Sequence, residues 1–318
     1  MKNVAVVAVG GNALTAQGQD GTAEDIENNA ATMASAVSSI VDQGWRVVVV
    51  HGNGPQVGSL AIQQETEGSL VPPQPLYSLN AMTQGQLGSV LVRAINEVQG
   101  AGTAISVVSH MCVDQNDPAF VSPSKPIGPF FTASQVATLA RDRNWTMEED
   151  AGRGFRRVVP SPQPGEFLEA SAVAALLDVG KVVLAAGGGG IALEHTDDGR
   201  YLGVDAVIDK DSAAARLASS LEAEALLLLT GVDAVAVDFG TPSQRTISRM
   251  SVHDAERHLS DGQFPPGSMG PKIRAAANFV QESSGTAVIT SPQLLMDALK
   301  PDSNVGTHIV PSTMMSSV

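Results

Sequence analysis

The sequence predicts an α/β protein on an open, mostly parallel sheet, from which a small inserted subdomain protrudes. Two observations carry that reading: three short apolar runs that each end in glycines, and a proline-rich interruption between the second and the third. Val4–Val9 runs into Gly10-Gly11-Asn12, residues 46–50 run into His51-Gly52-Asn53-Gly54, and residues 182–186 run into Gly187 to Gly190. Unbroken apolar runs this short read as parallel strands buried on both faces. Glycine lets the chain turn sharply at each carboxyl end and lets a ligand approach the main-chain N–H groups. In open α/β sheets ligands sit at that edge. The three turns predict one anion-holding rim, and phosphate chemistry with it.

The elements follow in chain order. Thr22 and Asp25 are spaced as a capping box, and Ala30, Met33, Val37, Ile40 and Val41 recur at helical spacing before Gly44 closes the helix. Residues 4–50 therefore form a right-handed βαβ unit. A helix is expected beyond Pro55 with Val57, Leu60 and Ala61 on its packed face, another over 79–98, and a strand over 104–113. From 114 to 165, prolines at 118, 123, 126, 129, 160, 162 and 164 exclude any long element. A structureless loop of that length is unusual in a compact domain. Ile127, Phe130, Phe131, Trp145, Phe155 and Val158-Val159 could supply a small core, so the stretch reads as an inserted subdomain, with a short helix near 133–141. A disordered insertion is the competing reading. Helices at 167–178, 211–220, 252–260 and 272–282 then alternate with strands at 181–186, 225–229 and 286–290, and a last strand near 305–310 is placed at an edge. Residues 312–318 read as a frayed tail.

At 318 residues the chain can bury a substantial core, as one large domain or two lobes. A net charge of −14 argues against a nucleic-acid surface and against anionic membranes, but not against a small anion, which feels a local field. There is no apolar run of membrane-spanning length. The opening run is too short for a signal-peptide core and ends in glycines. A cytoplasmic protein is expected. The single cysteine, Cys112, excludes an internal disulfide and a cysteine-based zinc site, and its apolar surroundings predict a buried thiol.

The six lysines are the sharper signal. Lys125, Lys210 and Lys272 lie in stretches punctuated by Gly, Pro or Asp: Ser124-Lys125-Pro126, Asp209-Lys210-Asp211 and Gly270-Pro271-Lys272. Lys210 reads either as part of a surface ion-pair cluster or as a charge on a transferring phosphoryl group, with Asp211 holding the lysines in place. Lys272 sits at a helix start, where the dipole already favours anions, or is simply exposed there. Lys125 has the same two readings within the insertion. Arg153, Arg156 and Arg157 read as a solvated basic face. His51 could act as a general base, although packing at a strand end accounts for it as well. Gly52-Asn53-Gly54-Pro55-Gln56-Val57-Gly58 misses the dinucleotide fingerprint, because its third glycine comes one place late and Pro55 disturbs the turn. The chain also lacks a P-loop.

With these stretches in view the chain resembles the carbamate kinases of the amino acid kinase family. The matching residues are Gly10-Gly11-Asn12-Ala13, His51 to Gly58, Ala81-Met82-Thr83-Gln84-Gly85 and Lys125-Pro126-Ile127-Gly128-Pro129-Phe130. Further matches are residues 149–154 and 158–162, Gly187 to Gly190, residues 206–211, Leu229-Thr230-Gly231-Val232-Asp233 and Pro266-Gly267-Ser268-Met269. The resemblance implies a three-layer αβα sandwich, a homodimer, and reversible phosphoryl transfer between ATP and carbamate that yields ADP and carbamoyl phosphate. It implies an amino-terminal lobe, residues 1–179, on the carbamate side, whose protruding lid spans about 114–165, and a nucleotide lobe, residues 180–311.

By the same likeness Gly10, Gly11, Asn12, Gly52 and Asn53 bind carbamate, and Asp209, Lys210, Thr230, Gly231, Asp233, Met269 and Lys272 bind the nucleotide. Lys125, Lys210 and Asp211 are the catalytic residues. Mg2+ is expected with ATP or ADP, and no protein-held metal is expected. Ala8 stands where many of the wider family carry lysine, and Lys125 from the lid is expected to supply that charge instead. Ala234 and Phe155 stand where tyrosine and tryptophan are common in carbamate kinases. Another family kinase acting on a small carboxylate, or a silent nucleotide-binding regulator, are the alternatives.

Overall fold

The computed structural model describes residues 3–10, 14–15, 18–19, 21–65, 70–150, 152–265 and 267–312. Gly11, Asn12 and the expected tail beyond Ser312 lie outside the described residues. One eight-stranded sheet organises the rest. Its spatial order is Arg249–Ser251, Thr307–Val310, Thr286–Thr290, Ala225–Leu229, Val4–Val9, Arg46–His51, Val182–Leu184 and Ala104–Ser106. Pairing is parallel from Thr286–Thr290 through to Ala104–Ser106, and Thr307–Val310 meets Thr286–Thr290 antiparallel.

All six residues of Val4–Val9 are buried, as expected of a central strand covered on both faces. Val4, Val6 and Ala8 pack into one core with Leu177, Leu217, Ile273 and Phe279, whereas Ala5, Val7 and Val9 pack into the other with Met33, Ile40, Leu87 and Leu91. Helices Ala23–Val41 and Leu76–Gln99 cover the second face, and Ala170–Asp178, Lys210–Ser220, Val252–Ser260 and Met269–Glu282 cover the first. The result is the three-layer αβα arrangement. The capping box holds: Asp25 N–H donates to Thr22 Oγ1 at 3.2 Å and Thr22 N–H to Asp25 Oδ2 at 3.0 Å.

Several elements differ from expectation. The 104–113 strand is two strands in two sheets, Ala104–Ser106 and His110–Cys112. Between them Ser109 leaves the ladder, because its N–H donates to Gln84 Oε1 and its hydroxyl accepts the Ala186 N–H. His110–Cys112 then pairs with Ile191–His195, a strand that carries no alternating signal. Cys112 is half-buried rather than buried. Thr307–Val310 is internal, and the edge belongs to Arg249–Ser251, which three residues are too few to announce. Val182–Leu184, read as the start of the second lobe, pairs with Arg46–His51 and Ala104–Ser106 among the strands of the first. The helix expected from Lys272 starts at Met269, since Pro271 falls in the first turn, where no N–H is needed.

The inserted subdomain is folded. Strands Lys125–Phe131, Thr146–Glu149 and Phe155–Val159 form an antiparallel sheet beside helix Ala133–Arg143. Of the three arginines expected on a solvated face, Arg153 is exposed but Arg156 and Arg157 are not. Arg156 is buried, with Nε donating to Gly128 O at 3.0 Å and a terminal nitrogen 3.2 Å from Asp150. Arg157 reaches Glu65 at 2.9 Å. The subdomain meets the body along helix Gly54–Gln64, at a point where both backbones lack a side chain. A Cβ on Gly58 would lie 2.0 Å from Gly128 N and 2.3 Å from its Cα. The glycine that spoils the dinucleotide fingerprint is therefore a contact residue for the inserted subdomain.

Gly58→Ala is expected to destabilise the fold by about 1–3 kcal/mol, the usual range for overpacking, and to raise proteolytic sensitivity within 114–165. Urea unfolding and limited proteolysis of the variant beside the parent check both.

Candidate active site

The carboxyl ends of three adjacent strands set the rim. Ala8 pairs with Leu228 and Val9 with His51, so Gly10, Gly52 and Thr230 stand level, each one residue beyond its strand. Gly52 N–H donates to Val9 O at 2.9 Å and is thereby committed to the scaffold. Asn53 is buried, and its Nδ2 donates to Asn80 Oδ1 at 2.5 Å and to Thr83 Oγ1 at 2.8 Å. Asn80 Nδ2 donates to Gly190 O at 2.7 Å, and Gln84 Nε2 donates to Gly187 O at 2.9 Å and to Ser109 O at 3.0 Å. A buried polar network fully engaged in this way fixes the turns it connects. Sequence reasoning gave Asn80 and Gln84 no role. Their signal was two amides four residues apart on the buried face of one helix.

Gly187 to Gly190 has a steric reason. A Cβ on Gly188 would lie 2.3 Å from Asn53 Nδ2, and one on Gly189 would lie 2.2 Å from Ile208 O. Gly188, Gly189 and Gly190 also take positive φ values. This bare turn lets the Asn53 loop and the Ile208-Asp209 segment approach from opposite sides. From the inserted subdomain, Pro126 O lies 3.3 Å from the place a Gly54 Cβ would occupy. Lys125, Asn53-Gly54 and Asp209 are thus neighbours.

The charged cluster follows. Asp209 caps helix Lys210–Ser220: its Oδ1 accepts the N–H groups of Asp211 at 2.9 Å and Ser212 at 3.2 Å. Its Oδ2 holds Lys125 Nζ at 2.5 Å. Asp211 is buried and bridges two ammonium groups, Lys210 at 3.0 Å and Lys272 at 3.1 Å to both oxygens. Small residues make this bridge possible. Ala214, Ala215 and Ala218 on one helix and Ala275, Ala276 and Ala277 on the other belong to the core beneath helices Lys210–Ser220 and Met269–Glu282. Helices faced with small side chains pack close. The surface-cluster reading of Lys210 and the exposed reading of Lys272 both fail.

Burial sets the electrostatics and the carboxylates correct it. Burial drives the Asp209 carboxyl up, but Lys125 and Lys210 outweigh it and hold the group below the usual carboxylate range. Burial pulls Lys210 down, yet Asp211 and Asp209 together raise it above the ordinary lysine value. Burial is the largest influence on Lys272; Asp211 and, more weakly, Asp209 oppose it while Lys210 adds to it, and the pKa of its ammonium falls to about 8. His51 is buried, and burial pulls it to about 4, with Nδ1 3.2 Å from Gly52 O. It is a neutral packing residue rather than a poised base.

The remaining expected residues are spread along the same edge. Thr230 is half-buried and its N–H donates to Thr290 O, while Gly231 and Asp233 are exposed beyond it. The Asp233 carbonyl accepts the Thr290 hydroxyl at 3.2 Å. Met269 is half-buried at the start of the helix that carries Lys272. None of these four touches the lysine cluster directly among the hydrogen bonds and ion pairs of the described residues. Asp209 and Asp211 are both engaged by lysines, and among the described residues no group of three His, Cys, Asp or Glu could hold a metal ion. Among the described residues no helix is long and apolar enough to cross a membrane.

Comparison with known proteins adds a second line of support. Residues 3–291 match the model of the amino acid kinase family. A carbamate kinase of Thermococcus kodakarensis is 41% identical over 317 residues, covering 98% of this chain and 99% of the relative. Among solved structures, carbamate kinase from Giardia lamblia bound to citric acid superposes with a TM-score of 0.91 at 34% identity, covering 98% and 99% of the two chains. The same Giardia enzyme bound to AMP-PNP gives a TM-score of 0.87 at 35% identity, with 98% and 99% covered.

Two measurements check the electrostatics. An NMR titration of the Lys272 side chain is expected to show a midpoint near 8, and Asp211→Asn is expected to lower it further, because the charge that favours the ammonium is gone. The sign for stability follows. A lysine with a folded-state value near 8 against an unfolded value of about 10.4 costs stability at neutral pH. That cost is relieved as pH rises from about 8 towards 10.4, so Lys272→Met is expected to flatten this part of the stability–pH curve.

Proposed function

The chain belongs to the amino acid kinase family, and on that premise we propose that it is a carbamate kinase, transferring a phosphoryl group reversibly between ATP and carbamate to give ADP and carbamoyl phosphate. The observation that carries this reading is the meeting of Lys125, Lys210 and Lys272 at two buried or half-buried carboxylates, Asp209 and Asp211, beside the glycine turns of the sheet. Relatives of near-identical length that are carbamate kinases, and one solved with AMP-PNP, support it.

The chemistry suits the residues. A carbamate oxygen is already anionic, so attack on phosphorus needs no base, and a neutral buried His51 is no handicap. Catalysis is then positioning together with stabilisation of the charge on the equatorial oxygens of the transferring group. Lys210 stays protonated through the physiological range because two carboxylates outweigh its burial, and it is assigned to the phosphoryl group. Lys125 approaches from the lid and is assigned to the same group. Asp211 orients Lys210 and Lys272 and favours the charged form of both without touching the reacting atoms. Gly10, Gly11, Asn12, Gly52 and Asn53 are assigned to the carbamate side. Thr230, Gly231, Asp233 and Met269 are assigned to the nucleotide with Asp209 and Lys272. Magnesium enters as part of the magnesium–nucleotide substrate. The reading extends to a cytoplasmic homodimer that makes ATP from carbamoyl phosphate in arginine or purine breakdown.

A coupled assay of ATP formation from carbamoyl phosphate and ADP tests the activity. Turnover is expected in the parent, and Lys210→Ala is expected to lower kcat by roughly 10²–10³, the usual cost of losing one pre-placed donor. A parent with no turnover, or a variant equal to it, overturns the assignment.

A further inference from the structure

Helix Gly54–Gln64 begins at the rim and ends at Glu65, well away from it. At that far end the Glu65 carboxylate gathers donors from two elements of the lid. Trp145 Nε1 donates to Oε2 at 2.9 Å, a terminal nitrogen of Arg157 donates to Oε1 at 2.9 Å, and Arg143 lies 3.9 Å from Oε2. The guanidinium groups of Arg143 and Arg157 stand over the Trp145 ring, 5.3 and 4.9 Å from its centroid. Trp145 is only 5% exposed. This cluster has no part in the chemistry described above.

Its connection to Lys125 runs through one sheet. Arg157 pairs with Ile127, and Val159, two residues on, pairs with Lys125 itself. The lid meets helix Gly54–Gln64 along its length: Pro126 O faces Gly54, Gly128 faces Gly58, and Ile127 and Val159 share one buried cluster with Val57 and Ala61. Glu65 adds a charged attachment beyond this seam, about 10 Å from Gly58 at 1.5 Å of rise per residue. Apolar packing is non-directional, so a hydrogen-bonded anchor at the far end fixes the register that the strands pass on to Lys125.

We propose that Glu65 is a positioning residue: by clamping Trp145 and Arg157 it sets the place of Lys125 over the site. The importance of that place for turnover rests on the proposed kinase activity. The clamp itself does not.

The test has two arms. Glu65→Ala is expected to lower kcat for ATP formation about tenfold, while KM for ADP changes less than twofold. In a Lys125→Ala background the same substitution is expected to change nothing further. Glu65→Gln keeps an acceptor for Trp145 but loses the charge facing the arginines, and it is expected to recover part of the loss. The second arm needs no turnover: amide hydrogen exchange across residues 125–131 is expected to be faster in Glu65→Ala than in the parent, with Glu65→Gln between them. Unchanged exchange with unchanged kcat overturns the proposal, as does a loss that adds in full to that of Lys125→Ala. If Glu65→Ala does not fold, Glu65→Gln is read in both arms against the same criteria. A parent that forms no ATP refutes the kinase reading, and the exchange arm still decides the clamp.

Discussion

The site depends on one buried carboxylate. Asp211 takes Lys210 on one oxygen and Lys272 on both, and without it two ammonium groups would face each other in a medium that screens them poorly. Burying a charge is tolerable only when it is paired and hydrogen-bonded. Everything that brings the pair together serves this arrangement. The alanine faces let two helices approach, Asp209 caps the first of them, and the second carries Lys272 in its opening turn. The two lysines differ in balance: for Lys210 the attraction of Asp211 and Asp209 outweighs burial, whereas for Lys272 burial and the Lys210 charge outweigh the same two carboxylates.

The glycine turns pose a different problem, that of holding several turns together without side chains of their own. Four glycines in a row cannot stabilise a conformation by packing. Asn53, Asn80, Thr83 and Gln84 do it from outside, through hydrogen bonds to one another and to glycine carbonyls. Removing any one leaves a buried partner unsatisfied, which costs more than the bond itself contributes. Rigidity at the rim therefore comes from a helix beneath it.

Much of this was legible in the sequence. Val4–Val9, residues 46–51 and residues 225–229 announce themselves because central parallel strands are apolar throughout, and the spacing of Thr22 and Asp25 fixes a helix start. Lys125, Lys210 and Lys272 stand out because lysine is scarce. What escaped was whatever depends on partners distant in the chain. Ser109 breaks a run that looks like one strand only because it bonds to Gln84 and Ala186. Arg156 and Arg157 look like a basic surface until Gly128, Asp150 and Glu65 are beside them. Strands of three residues, such as Arg249–Ser251, carry too little pattern to be seen at all. Gly58 was visible but given no role, since its role lies in the backbone it faces and not in its neighbours along the chain.

The chain has two tryptophans, and Trp145 lies in the seam between subdomain and body with two guanidinium groups against its ring. Trp45, by contrast, packs at the edge of the core under helix Ala23–Val41. An indole held this way emits according to its shielding from water, and guanidinium contacts alter its quantum yield. The protein thus carries its own optical gauge of how the seam is seated, readable in dilute solution and without any label.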